Sequence, residues 1–187
     1  MQLKDKIIVV TGAGNGIGKA LVKKFCAEGA RAVVAVDINA AAARDTATEF
    51  GCIAMSADVA NEGDVIRIIE DTEQNIGPID LYCNNAGVAA GASEQSPNAE
   101  WQFIWDVNVM SHVYSARHLV PRMIQRGGGY FLNTASAAGL LNQIGGAAYG
   151  TTFLIVMQAF GLNLAWTAPL ALPAILIIAF GFASIGM

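Results

Sequence analysis

The sequence predicts a doubly wound α/β fold, with a parallel sheet covered by helices on both faces. Five short apolar runs rich in β-branched residues alternate with longer segments of helical periodicity. Strand–helix alternation implies right-handed crossovers between parallel strands. The strands read as continuous apolar runs because such a sheet is buried on both sides. The predicted strands cover residues 6–12, 31–37, 52–58, 79–85 and 129–135.

The intervening segments carry apolar residues at helical spacing. Ile17, Leu21 and Phe25 share one face of the first helix, and a long helix is predicted from Ala99 to Gln125. His112 and His118 fall on this long helix without metal-like partners and are interpreted as surface or interface residues. Glycines are placed where helices and turns end. They are Gly29, Gly51, Gly77 and Gly127.

Composition limits the classes of function. The chain has 187 residues and a net charge of -4, which argues against a nucleic-acid partner. Cys26, Cys52 and Cys83 are far apart in sequence and form no C-x-x-C pair, so neither a metal cluster nor a disulfide framework is expected. The N-terminus is too polar for a signal peptide. These features predict a cytoplasmic protein with reduced thiols.

Charge is distributed unevenly along the chain. Arg126 is the last charged residue, and residues 127–187 carry neither charge nor histidine. An ordinary soluble domain is about a quarter charged, so the two parts of the chain are under different constraints.

A glycine-rich stretch, "TGAGNGIG", follows the first strand and opens the first helix. Glycine lets the backbone approach a pyrophosphate, and the helix N-terminus offers free N–H groups. The alternative is a glycine-rich turn without a ligand. The candidate cofactor-binding residues are Gly12, Gly14, Asn15, Gly16, Ile17 and Gly18.

Asp37 ends the second strand, at the place where a dinucleotide site positions a carboxylate for the adenosine ribose. A carboxylate repels a 2′-phosphate, and neither Asn15 nor Ile38 supplies a positive charge. NAD is therefore favoured over NADP. The alternative is that Asp37 caps the following helix.

Further motifs follow in order: "ADV" at 57–59, "NNAG" at 84–87, "DVNVM" at 106–110, and "NTASAAGL" with Tyr149 thirteen residues beyond Ser136. With the glycine motif, they resemble the short-chain dehydrogenase/reductase family from about residue 5 to Thr152. The resemblance implies a Rossmann-like, NAD(P)-binding domain over residues 1–152. It also implies hydride transfer between a nicotinamide and a secondary alcohol or a carbonyl compound.

The resemblance also implies roles for single residues. Tyr149 would be the general acid/base and would border the cofactor, Ser136 would hold the substrate oxygen, and Asn108 would position a water molecule in the proton relay. The alternatives are ordinary structural roles in turns, caps and buried polar contacts. The remaining implied cofactor contacts are Ile38, Asp58, Val59, Asn85, Ala86 and Gly87.

Phe153 departs from the family pattern, which has a lysine four residues after the tyrosine. A free tyrosine has a pKa near 10 and needs a nearby positive charge to act as a base at neutral pH. No lysine or arginine follows residue 126. Impaired activity is therefore expected. The alternatives are a non-catalytic dinucleotide-binding module and an α/β head anchored to a membrane.

The apolar tail at 153–187 does not match the family, and the fold is expected to be truncated or altered after the fifth strand. The abrupt change suggests a frameshift or a fusion near residue 152. Three interpretations stay open: membrane insertion or association, partial replacement of the missing core with a sixth strand at "PAILIIAF", and disordered or aggregating sequence. Family members are usually homo-oligomeric through the helix at 99–125 and the helix after the tyrosine, but the altered tail makes such assembly doubtful.

Overall fold

The computed structural model describes residues 2–89, 93–136, 139, 146–160 and 175–180. Six parallel strands form one sheet in the order β3-β2-β1-β4-β5-β6. This order confirms the predicted doubly wound class. The strands are β1 (Ile7–Thr11), β2 (Ala32–Asp37), β3 (Ile53–Ser56), β4 (Leu81–Asn84), β5 (Tyr130–Ser136) and β6 (Ile175–Phe180).

The helices follow the strands and are capped at their ends. Asn39 and Asn61 accept backbone N–H groups at the starts of the second and third helices, and Gly51 ends the second helix in the left-handed conformation. The helices are α1 (Gly16–Ala27), α2 (Ala40–Phe50), α3 (Glu62–Asn75), α4 (Asn98–Trp105), α5 (Ser111–Gln125) and α6 (Ala147–Phe160).

Two apolar cores cover the two faces of the sheet. Val9, Val34 and Tyr82 belong to the core that contains residues of α3 and α5. Ile8 and Val33 belong to the core that contains Val22 and Phe25 of α1. Because successive strand residues point to opposite faces, the apolar runs supply both cores at once.

The predicted single helix at 99–125 is interrupted by a π-helical segment, Asp106–Met110, between α4 and α5. The wider turn carries Val107, Asn108 and Val109, all of which are buried. A π segment inserts an extra residue into a helix, and such segments are frequent at functional sites. His112 follows it and is only 1% exposed within the single chain, so its interpretation as a surface or interface residue is wrong.

The described part of the tail continues the fold. Helix α6 runs across residue 152, with Phe153 and Val156 buried. Residues 175–180 pair in parallel with β5, from Phe131↔Ile175 to Ser136↔Phe180, in agreement with a sixth strand. No helix among the described residues is long and apolar enough to cross a membrane. The rest of the tail lies outside the described residues, and the division at residue 152 stays a prediction.

Candidate functional site

A cavity of about 390 Å³ opens at the carboxyl ends of the central strands. Strands β1 and β4 are neighbours although they are not consecutive, so the chain reverses its winding direction between them. Such a switch point is where open α/β sheets bind ligands. The lining includes Gly12, Asn15, Ile17, Gly18, Asp37, Ile38, Asp58, Val59, Asn85, Ala86, Gly87 and Tyr149, all of them predicted site residues.

The glycine loop packs closely against its surroundings because Gly12 and Gly18 lack side chains. Gly12 has φ +65°, and a Cβ on it would lie 2.9 Å from the Ala86 Cα. A Cβ on Gly18 would lie 2.0 Å from the Gly12 carbonyl oxygen, which no side chain tolerates. Gly16 is also left-handed, at φ +51°. The loop therefore needs glycine for its conformation and for its contact with the end of β4.

Asp37 fixes the loop from the end of β2. Its Oδ2 accepts the Gly14 N–H at 2.8 Å, and its Oδ1 accepts the Asn39 N–H at 2.9 Å. The cap of α2 is Asn39, whose side chain accepts from Ala41 and Ala42. The alternative that Asp37 caps the helix is therefore wrong. Its neighbour on the cavity wall, Ile38, is 70% exposed.

Asp58 makes the turn that follows β3. Its Oδ1 accepts the Ala60 N–H at 2.9 Å, and its own N–H donates to Asp64 at 2.8 Å. This backbone hydrogen bond, and then the Arg67 side chain, lower the pKa of Asp64. Asp58 thus has the turn role that the sequence left open, and it lies beside Val59 on the cavity wall.

The Thr11 hydroxyl joins β1 to β4 at the switch point, a role that the sequence analysis missed. Buried Thr11 donates to the Cys83 carbonyl at 3.1 Å and accepts the N–H groups of Asn85 and Ala86 at 3.0 and 3.1 Å. The Asn85 amide donates back to the Thr11 carbonyl at 3.0 Å. The sequence did contain a signal for this role, because Thr11 is a polar residue at the end of an otherwise apolar strand.

A second network of side-chain hydrogen bonds lies next to the contact between β1 and β4. The Asn84 amide donates to Asn133 at 2.8 Å, and the Ser115 hydroxyl donates to Asn84 at 2.9 Å. All three residues are buried. This network connects β4 to β5 and to α5. Asn84 therefore has a structural role as a buried polar contact, one of the alternatives that the sequence left open.

Asn108 braces the segment after β4. Its Oδ1 accepts the Val88 N–H at 2.9 Å, and its Nδ2 donates to the Val88 carbonyl at 3.0 Å and to the Thr152 hydroxyl at 3.3 Å. Thr152 in turn donates to the Tyr149 carbonyl at 2.9 Å. Asn108 therefore connects the cavity wall to α6, and its part in a proton relay stays a prediction.

Tyr149 and Phe153 form the far wall of the cavity, one helical turn apart on α6. Phe153 is buried with Ala135 of β5, and Tyr149 packs against this pair. Ser136, the next residue of β5, is 6% exposed. The structure thus brings the helix of Tyr149 to the end of the strand that carries Ser136.

Electrostatically, the described cavity lining carries two acidic residues, Asp37 and Asp58, and neither lysine nor arginine. Apolar residues that the sequence analysis did not assign to the site form much of the remaining wall. They are Val36, Ala57, Val88, Ala89, Phe103, Val107 and Ala135.

The switch-point cavity, the glycine loop and the aspartate at a strand end agree with the family to which the sequence is similar. Residues 6–158 match the family described as short chain dehydrogenase. The chain belongs to this family.

Named relatives come from several bacteria. The chain is 36% identical over 164 residues to 2-(R)-hydroxypropyl-CoM dehydrogenase of Xanthobacter autotrophicus, covering 82% of this chain and 65% of the relative. It is 32% identical over 152 residues to meso-2,3-butanediol dehydrogenase of Serratia marcescens, covering 80% and 60%. The chain thus spans less than two thirds of the length of these relatives.

A solved structure shares the fold over most of the chain. It is a short chain dehydrogenase/reductase from Burkholderia phymatum in complex with NAD, 27% identical, with a TM-score of 0.85. The match covers 96% of this chain and 67% of that one.

Proposed function

We propose that this chain is an NAD(P)-dependent oxidoreductase that transfers hydride between a nicotinamide and a secondary alcohol or carbonyl compound, with activity impaired at Phe153. The observation that carries the proposal is one cavity that contains the glycine loop and Asp37 at one side and Tyr149 at the other. The relatives named as dehydrogenases support the reaction class.

The residues present fit the adenosine and pyrophosphate parts of a dinucleotide. Gly12 and Gly18 allow the loop to pack tightly against Ala86 and against itself, and the loop leads into the N-terminus of α1, whose free N–H groups would bind the pyrophosphate. Asp37 would hold the ribose hydroxyls, while Ile38 and Val59 would cover the adenine. When bound, the cofactor supplies the hydride acceptor or donor.

We propose that NAD is preferred over NADP. The two acidic side chains that line the cavity, Asp37 and Asp58, disfavour a further phosphate. In the described lining there is no lysine or arginine to offset this repulsion.

For the proton, we propose Tyr149 as general acid/base and Ser136 as the group that orients the substrate oxygen. A cation roughly 4–5 Å from a tyrosine oxygen stabilises its ionised form by about 3–4 kcal/mol at an effective dielectric constant near 20. Phe153 supplies no charge at that position. The consequence is a lower fraction of active base at neutral pH, by about a hundredfold.

The second candidate is a dinucleotide-binding module without catalysis. The apolar Phe153 beside Tyr149 favours it, because the binding residues are present while the expected cation is not. Binding without turnover would distinguish it from the first candidate.

The test compares Tyr149→Phe with Tyr114→Phe, a control on α5 that does not line the cavity. NADH binding is followed by fluorescence titration, and NADH production is measured with a panel of secondary alcohols. We expect both variants to bind NADH like the native chain. Only Tyr149→Phe should lose turnover, and turnover by this variant at the native rate would contradict the proposal.

We also propose a small-molecule alcohol or carbonyl substrate and a cytoplasmic location. Membrane association through residues 153–187 stays an alternative, and homo-oligomeric assembly, which is usual in the family, stays in doubt for this chain because of its altered tail.

A further inference from the structure

The residues around the cavity fall into two groups according to the strands that carry them. In the sheet order, β2 and β3 lie on one side of the switch point and β5 lies on the other. Asp37 ends β2 and Asp58 follows β3, whereas Ala135 belongs to β5 and packs with Phe153 of α6. Helix α4 packs on α6 in turn. We call the first group the β2 side and the second group, with its helices, the β5 side.

The β2 side has polar groups to spare for a ligand. Each carboxylate oxygen of Asp37 accepts one backbone N–H, and a carboxylate has about four acceptor sites in all, so it can accept from ribose hydroxyls as well. Helix α1 begins at Gly16, and the side chain of its N-cap residue, Asn15, makes no capping hydrogen bond. The first N–H groups of α1 are therefore available to a pyrophosphate.

On the β5 side, the polar side chains close to β4 already bond to the protein. The Thr134 hydroxyl donates its one proton to the Asn85 Oδ1 at 3.2 Å. The Asn85 Nδ2 donates to the carbonyl oxygens of Thr11 and Gly12, at 3.0 and 3.4 Å. Among the described lining residues of the β5 side, the Tyr149 hydroxyl is the one side-chain donor that these bonds leave for a ligand.

The other described lining residues of the β5 side have apolar side chains. Phe153 is buried, and a Cβ on Gly87 would lie 3.8 Å from its ring Cζ, so the ring closes against the segment that follows β4. Phe103 and Val107 continue this wall, and no residue in 127–187 carries a charge. A second ribose, with two hydroxyl groups, finds few partners there, and burying an unpaired hydroxyl is unfavourable.

We propose that this site recognises the adenosine diphosphate half of a nucleotide and not the nicotinamide half, so that ADP binds as tightly as NAD⁺. This inference rests on the dinucleotide-binding part of the proposed function and identifies which half of the ligand supplies the affinity. The ligand class is nucleotides with an adenine, free ribose hydroxyls and a 5′-diphosphate. ADP is then a competitor of the cofactor for the cavity.

The experiment compares the two halves of NAD⁺ by calorimetric titration of the native full-length chain. The probes are NAD⁺, ADP, the β-methyl ester of ADP, AMP and nicotinamide mononucleotide. The methyl ester keeps the diphosphate diester of NAD⁺ and controls for the additional charge of ADP. We expect ADP or its methyl ester to bind within about fivefold of NAD⁺, and AMP to bind more than about fivefold more weakly than ADP. Nicotinamide mononucleotide should not bind.

Two variants locate the affinity within the cavity. Asp37→Ala should weaken NAD⁺ and ADP by the same factor, because both ligands would use the same carboxylate. Tyr149→Phe removes the remaining donor of the β5 side and should change the affinity for NAD⁺ no more than the affinity for ADP. Tyr114→Phe, on α5 and outside the cavity lining, is the matched control. If Asp37→Ala fails to fold, the ligand series on the native chain still decides.

The outcomes separate this inference from the proposed reaction. If ADP and its methyl ester both bind more than about fivefold more weakly than NAD⁺, the inference is overturned, while NADH production from secondary alcohols would leave the reaction standing. Equal affinities without any turnover would support the inference and refute the reaction. AMP binding as tightly as ADP, or binding of nicotinamide mononucleotide, would overturn the inference. Absence of binding by all five nucleotides would refute both.

Discussion

The rings of Tyr149 and Phe153 meet edge to face, with centroids 4.7 Å apart and planes inclined at 66°. Their positions on α6 are one turn apart, and both side chains line the cavity. An aromatic edge contact stabilises packing but offers neither a charge nor a hydrogen-bond donor. Under the proposed function, position 153 would supply the charge that assists Tyr149, and it is instead occupied by a phenyl ring that only packs.

Replacing this contact by a charge should restore activity at neutral pH. We expect Phe153→Lys to produce NADH from secondary alcohols at pH 7 at least tenfold faster than Phe153→Met, an uncharged variant of similar length. The difference in rate between the two variants should be smaller at pH 10, where an ordinary tyrosine ionises without assistance. Steady-state rates at both pH values measure the effect. Equal rates for the two variants at pH 7 would show that charge at this position is not limiting.

Cofactor preference should depend on the Asp37 charge rather than on its hydrogen bonds. Asp37→Asn keeps an oxygen that can accept from Gly14 or Asn39, whereas Asp37→Ala removes both acceptors. We expect both variants to lose much of the preference for NADH over NADPH, and Asp37→Ala to weaken binding of both cofactors. Fluorescence titration gives the six dissociation constants, for the native chain and both variants with each cofactor. Equal affinity of the native chain for NADH and NADPH would refute the assigned role.

Asn108 should matter for stability because its buried amide has three partners on two segments. Asn108→Ala leaves the Val88 N–H and carbonyl without this partner, and a lost buried hydrogen-bond group costs about 1–3 kcal/mol each. We expect the free energy of unfolding to fall by about 2–4 kcal/mol in urea titration. Asn75→Ala, an exposed helix-end control, should change it by less than about 1 kcal/mol. A loss no larger than the control would refute the bracing role.

Buried His112 should make the fold sensitive to mild acid. Burial lowers its pKa to about 4, from 6.5. A depressed folded-state pKa adds stability above the unfolded value, and this stability is lost as pH falls towards the folded value. We expect a loss of about 2 kcal/mol between pH 7.5 and pH 5, mostly above the range where carboxylates titrate. His112→Gln should flatten the profile, and His118→Gln should not. A flat native profile would contradict this.

The sequence predicted the sheet, its strands and most of the cavity, because these depend on local patterns. Apolar runs predict strands, glycines at fixed spacing predict the loop, and Asp37 at a strand end predicts the ribose contact. Each of these patterns spans only a few residues. The π segment at 106–110 could not be predicted, because no residue pattern marks the extra residue that it inserts. This insertion rotates the following residues around the helix axis by about 100°, so the face on which His112 lies could not be predicted either. The role of the Thr11 hydroxyl depends on contacts with Cys83, Asn85 and Ala86, which are distant in sequence and which no local pattern encodes.

The place of β1 in the sheet has a consequence for synthesis of the chain. β1 lies inside the sheet and pairs with a strand on each side. Ile8 pairs with Val33 of β2 and with Leu81 of β4, so the second partner is synthesised well after the first. A growing polypeptide therefore displays one unpaired edge of its most buried strand until β4 has left the ribosome. Unpaired strand edges are sites of wrong association. We expect nascent chains from which β4 has not yet left the ribosome to be the species most dependent on chaperones, and ribosome-bound chains of graded length would test this.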